Sequence, residues 1–181
     1  MKENPQLNYN PEAIKLFLSR HIEAEDGDEG YFNGESIFEE ALETDKEGYL
    51  YHATKLVHLY SILDQGLMSR YGGIGGAGTT IASGEFEESD RGWLFASSIP
   101  DVVNCYTHEY DTFADENVEN IPILLRFLER DEDDFIEDPA HDGAVRTRNN
   151  ISVDRLYMLT YSGWVKLTDY RNDILSFIGM N

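Results

Sequence analysis

The chain has 181 residues, 41% of them apolar and 12% aromatic, enough for one domain with a real core and short of two full ones. No stretch approaches the roughly eighteen consecutive apolar residues of a membrane span, and Cys105, the single cysteine, excludes an internal disulfide and a cysteine-based zinc site. The net charge of −21 opposes sequence-independent binding to nucleic-acid backbones. Its distribution is uneven: −9 over residues 1–48, −2 over 49–100, −12 over 101–142 and +2 over 143–181. The acid-rich parts could mimic nucleic acid, attract a basic partner or keep the chain in solution. The N-terminal MKENPQLNYNPEAIKLF carries neither a signal-peptide nor a transit-peptide pattern, so the expected compartment is the cytoplasm.

Taken in order, Pro11 opens an amphipathic helix with Ile14, Phe17, Leu18 and Ile22 at helical spacing. The polar, Gly-bearing AEDGDEG ends it, and GESIFEEALE offers a second short helix with Ile37, Phe38 and Leu42 on one face. These helices form an N-terminal extension, 1–47, expected to pack on the domain 48–181. GYLYHAT is short, aromatic and β-prone, and reads as a strand. KLVHLYSILDQGL reads as a helix on Leu56, Leu59, Ile62 and Leu63, with Gly66 where a C-terminal cap is expected. Residues 71–92 hold seven of the fifteen glycines and read as loop.

WLFASS reads as a strand, and Pro100 opens a helix through DVVNCYTHEY on which Cys105 is a small buried residue. IPILLRFLER is a strand too apolar for an exposed edge. After the acidic loop DEDDFIEDPAHDG, the segments VRTRNNI, DRLYMLTY and GWVKLTDY read as closing strands of a mixed α+β fold.

His52 and Thr54 stand two apart on a strand, so imidazole and hydroxyl share one face and can converge on one ligand. A lone His there also fits a buried ring satisfied by a backbone carbonyl. GGIGGAG resembles a dinucleotide fingerprint only superficially, because a helix precedes it and more loop follows. It is either a loop over a ligand or a plain surface loop. Arg70, Arg91, Arg146 and Arg148 fall in or beside the same segments and suit forked bonds to a pyrophosphate, or simply solvation. His108, Glu109 and Asp111 diverge around a helix, and DEDDFIED lacks the Gly-bearing calcium loop, so no metal is expected.

YHAT, the ten residues from His52 to Ile62, and then Leu63, Gly66 and Leu67 resemble the first motif of the diphtheria-toxin-like and poly(ADP-ribose)-polymerase-like ADP-ribosyltransferases, in which a His-bearing strand is followed by a helix ending Ile-Leu-x-x-Gly-Leu. RGWLFASS with Tyr106 is similar to the second block, and VRTRNNISVDRLYML to the third. The resemblance spans about 49–164. It implies a mainly antiparallel, split β-sheet of ADP-ribosyltransferase type, NAD as substrate, and transfer of ADP-ribose to a macromolecule, most readily a protein, by a chain acting in its own or a target cell's cytoplasm.

It further implies that His52 bonds a ribose of NAD and that the backbone at the next residue but one grips the nicotinamide amide. Ala53, Thr54, Tyr71 at the head of the Gly-rich donor loop, Phe95, Ser97, Tyr106 and Arg146 complete the expected donor site. Where the family stacks a Tyr on nicotinamide this chain has Leu94, between Trp93 and Phe95. Family spacing back from Ile151 puts Asp142 where a Glu usually stands, a shorter spacing lands on Ala144, and Glu137 is an alternative. The same resemblance leaves open a binding module that has lost turnover and occupies a basic partner, a nucleic-acid acceptor, and RNA 2'-phosphate transfer.

Overall fold

A computed structural model describes residues 11–12, 18, 47–69, 92–98, 122–139, 142–160 and 163–179. Strand β1, Tyr49–Lys55, follows the turn at Gly48 and runs directly into helix α1, Leu56–Gln65. The β-prone aromatic run gives way to Leu spaced at three and four residues, and α1 buries Leu56, Leu59, Ile62 and Leu63. At its end Gly66 takes φ 78°, where a side chain would be strained, and returns its N–H to the Ile62 carbonyl at 2.8 Å. Arg171 donates to the Leu63 carbonyl and lies 3.9 Å from Asp64, supplying cationic capping at the negative end of the helix.

The remaining strands are β2, Leu94–Ser97; β3, Pro122–Leu128; β4, Ile136–Glu137; β5, Ala144–Thr147; β6, Tyr157–Thr160; and β7, Gly163–Lys166. They form one seven-stranded sheet in the order β4-β5-β2-β1-β3-β6-β7, with every pairing antiparallel. β3 lies between β1 and β6, as its continuous apolar character requires. On one face, Leu50, Ile123, Leu125, Phe127 and Met158 are almost wholly buried; on the other, so are Tyr51, Leu124 and Leu159. The α+β class and mainly antiparallel sheet expected from the sequence are present.

Several elements depart from expectation: VRTRNNI is a strand only to Thr147, and DRLYMLTY only from Tyr157, with Val153–Arg155 a 3-10 turn before it. The acidic loop contains a 3-10 turn, Asp131–Asp133, and the edge strand β4, whose two exposed residues carry too little apolar pattern to be seen beforehand. GWVKLTDY is a strand only to Lys166, after which Leu167–Tyr170 forms a 3-10 turn. Helix α2, Arg171–Phe177, follows and was not anticipated; it is too short for a clear period and buries only Ile174 completely within its span. Of the first expected helix, residues 11, 12 and 18 are described, all helical, and Leu18 belongs to the same core as the sheet. The second expected helix, the Gly-rich loop and the helix after Pro100 lie outside the described residues. Among the described residues no helix is long and apolar enough to cross a membrane.

Candidate active site

β1 is paired with β3 at all seven of its positions, from Tyr49↔Leu128 to Lys55↔Pro122. With β2 it is paired at one, Tyr51↔Ser97. One residue on, the His52 ring reaches β2, its Nδ1 2.8 Å from the Phe95 carbonyl oxygen. A carbonyl accepts and cannot donate, so Nδ1 carries the proton and donates. In the neutral ring Nε2 is therefore the acceptor. Burial holds the imidazole below its ordinary range; the bond to Phe95 opposes this in part, and nearby His58 adds to it. His52 is thus a neutral, oriented base whose acceptor nitrogen is suited to a hydroxyl.

Thr54, two residues on, shares the His52 face and is buried, as the strand period requires. Ala53 pairs with Leu124 on β3 and by register stands opposite Phe95 on β2, with no ladder pairing between them. The ladder between β1 and β2 is thus interrupted beside a residue with a small side chain.

β2 reaches the carboxylate-bearing segments through β5. Phe95 pairs with Arg146 and Ser97 with Ala144, and the Ser97 hydroxyl donates to the Gly143 carbonyl at 3.0 Å. This tie holds the turn carrying Asp142 at the end of β2. By the shared register Asp142 lies in the row of Tyr49, two strands from β1 and three residues along from His52, about 14 Å between backbones at ordinary strand spacings. Glu137 pairs with Val145, which falls in the His52 row, so it lies on the His52 face three strands away, again about 14 Å. Both carboxylates are exposed. Direct contact with His52 is beyond a side chain's reach across that span, so only a ligand could link either one to it.

Of the four arginines, Arg146 and Arg148 are described. β5 ends at Thr147, yet Arg146 and Arg148 both reach Trp93, their guanidinium carbons 4.5 Å and 4.2 Å from the ring centroid. Arg146 is also ion-paired with buried Asp138 at 3.6 Å. Strand alternation puts Arg146 on the face opposite His52, because it shares a row with Phe95 and Ala53. Its charge is thus committed to Asp138 and Trp93 rather than presented beside the imidazole. Leu94, which the sequence resemblance aligns with a stacking ring, is buried. Tyr71, Tyr106, Arg70 and Arg91 lie outside the described residues.

Two clusters that hold this region escaped sequence reasoning. Asp133 is buried and meets Arg155 through two bonds, Nη1 to Oδ1 at 2.7 Å and Nη2 to Oδ2 at 2.6 Å. The guanidinium beside it holds the Asp133 carboxyl below the usual carboxylate range, and the carboxylate in turn raises Arg155. The buried Thr147 hydroxyl donates to the Asp133 carbonyl, and Asn149 donates to the same carbonyl at 3.1 Å, so the acidic turn is tied to the end of β5. Nothing in the run DEDD distinguishes Asp133 from its neighbours; only its pairing across the fold does. Ser69 forms the second cluster, its N–H donating to Asn150 Oδ1 at 2.9 Å and its hydroxyl to the Arg148 carbonyl at 2.8 Å.

No protein family, no curated protein and no solved structure matches the chain.

Proposed function

We propose that the chain transfers ADP-ribose from NAD to a macromolecular acceptor, and that the acceptor is a protein. The observation that carries this reading is the fixed neutral His52, with Nδ1 held by the Phe95 carbonyl and Nε2 left to accept from a ribose hydroxyl. It stands next to Tyr51, the position at which β1 pairs with β2. Thr54 on the same face, whose backbone the sequence resemblance assigns to the nicotinamide amide, and Ala53 between them complete the strand segment of the donor site.

In this reaction the bond between ribose C1' and the nicotinamide nitrogen breaks, and nicotinamide leaves with the electron pair. The acceptor nucleophile forms the new bond to C1' and loses its proton. Positive charge grows on the ribose between these events, and a carboxylate facing the ring stabilises it. Asp142 fills that role in the reading given by motif spacing. Its shorter side chain requires the turn tied to Ser97 to approach the ribose more closely than a Glu would. Orientation of the two rings and exclusion of water supply the remainder. The strongly acidic chain disfavours DNA or RNA as acceptor.

Incubation with labelled NAD and a cell lysate, followed by protease or nuclease, tests the reading. Label that protease releases, together with free nicotinamide, is expected, and both should fall by at least a hundredfold in His52→Ala. No label transfer and no nicotinamide release would overturn the enzyme reading; nuclease-released label would move the acceptor to nucleic acid.

A second reading is favoured by the separation of both carboxylates from His52: a transferase-like domain that binds NAD without turning it over and uses its acidic flanks to occupy a basic partner. NAD binding with no nicotinamide release, unchanged in Asp142→Asn, would select it.

A further inference from the structure

On the sheet face opposite His52, Arg126 is 8% exposed at the centre of β3. Its guanidinium lies between two rings, 4.5 Å from the Tyr49 centroid and 4.3 Å from that of Trp164. Tyr51 closes the same group, its ring 5.8 Å from Trp164. The rings cover the flat faces of the cation and supply cation–π attraction, but they offer no acceptor in its plane. Arg126 Nε and Nη1 and Trp164 Nε1 are all buried without a hydrogen-bond partner among the described residues. The register puts Tyr51, Arg126, Tyr157 and Lys166 in one row across four strands, with two cations and no carboxylate.

A buried, unpaired guanidinium is among the most costly groups a core can contain. Leaving such a charge without its partner is strongly destabilising in comparable settings, and each unsatisfied donor adds to that. Stacking on two rings recovers only part of that cost, because it satisfies none of the N–H groups. With Nε and Nη1 both unpartnered among the described residues, the arrangement is incomplete.

We propose that Arg126, framed by Tyr49, Tyr51 and Trp164, is a carboxylate-binding site separate from the His52 cleft. The missing component must accept at least two hydrogen bonds and carry one negative charge. A carboxylate meets both conditions: it is planar, it matches a guanidinium edge, and it neutralises one cation without bringing a second charge into an apolar frame. A phosphate dianion would bring that second charge. The site takes either a small carboxylic acid or an Asp or Glu side chain of a partner, and it does not depend on whether NAD is bound elsewhere.

Trp164 reports on this site directly. Trp93 is the other tryptophan, so Trp93→Phe makes the fluorescence specific. Full-length Trp93→Phe protein is titrated at constant ionic strength with acetate, with N-acetyl-glutamate amide and with inorganic phosphate. A saturable change in Trp164 emission with acetate, a rise in the urea midpoint over the same concentrations, and loss of both in Trp93→Phe/Arg126→Met are expected. Tighter response to the glutamate derivative than to acetate assigns the site to a partner's side chain; the reverse assigns it to a small acid. Absence of a saturable response in the parent protein overturns the proposal, as does an equal response in the Arg126→Met background or saturation by phosphate below the acetate range. The parent titration decides the matter even where the Met variant fails to fold.

Discussion

Leu67 and Ile151 exchange both of their backbone hydrogen bonds, each 2.9 Å long, although 84 residues separate them in the chain. Ser69 extends the junction by bonding Arg148 and Asn150. The Gly66-Leu67 end of the first motif and the Asn150-Ile151 pair of the third are therefore one local structure. Gly66 makes it possible, since a Cβ at that position would run into the Ile151 carbonyl oxygen.

Gly66→Ala should accordingly destabilise the fold by roughly 1–3 kcal/mol, from the left-handed φ and the displaced carbonyl together. Urea denaturation measures it. An unchanged midpoint would mean that Leu67 and Ile151 separate at little cost.

Asp133 and Arg155 make the second test. Asp133→Asn leaves a buried guanidinium without its counter-charge and should cost about 3 kcal/mol. The folded Asp133 carboxyl titrates below its unfolded value, so protonation favours the unfolded chain. Its stabilisation is complete above the ordinary carboxylate range and is lost as pH falls through the depressed value. Urea midpoints of the parent should decline on acidification, and those of Asp133→Asn should decline less; parallel curves would refute the pair's role.

His52 behaves in the same direction for a different reason. Burial lowers the imidazole, so the unfolded chain binds the proton more readily. The contribution of His52 is full above the ordinary imidazole range and is lost as pH falls through the folded value. In an NMR titration the His52 ring should remain neutral through the range where an exposed imidazole protonates, with the proton on Nδ1. A ring that titrates at the ordinary value, or a proton on Nε2, would remove the acceptor on which NAD recognition is argued.

The two carboxylates can be separated by activity. Asp142→Asn should reduce nicotinamide release at least tenfold with little change in NAD affinity, while Glu137→Gln leaves release nearly intact. The opposite pattern transfers the role to Glu137, which shares the His52 row and face.

Much of this arrangement is legible in the residues. Alternation places His52 and Thr54 together, the Leu and Ile period defines α1, and Gly66 marks its end. The apolar run of β3 foretells its central place. What the sequence conceals is set by partners distant in the chain. Asp133 looks like any member of an acidic run until Arg155 reaches it, and Arg146 looks free until Asp138 and Trp93 engage it. β4 contains two residues, and its existence depends on β5 rather than on any pattern of its own.

The unequal pairing of β1 gives the sheet a seam. Within the sheet, one block, β1-β3-β6-β7, and another, β4-β5-β2, meet through a single paired position and the side chain of His52, while the Leu67-Ile151 junction and the bonds around Asp133 tie them from outside the strands. Few hydrogen bonds must be given up for these blocks to part by a small angle, so opening along this line is less costly than opening anywhere else across β1. Amide exchange should register the difference: protons of β1 engaged with β3 should outlast those of β2 on the side facing β1. A slot that widens by flexing the sheet itself would admit a ligand without moving the core beneath it.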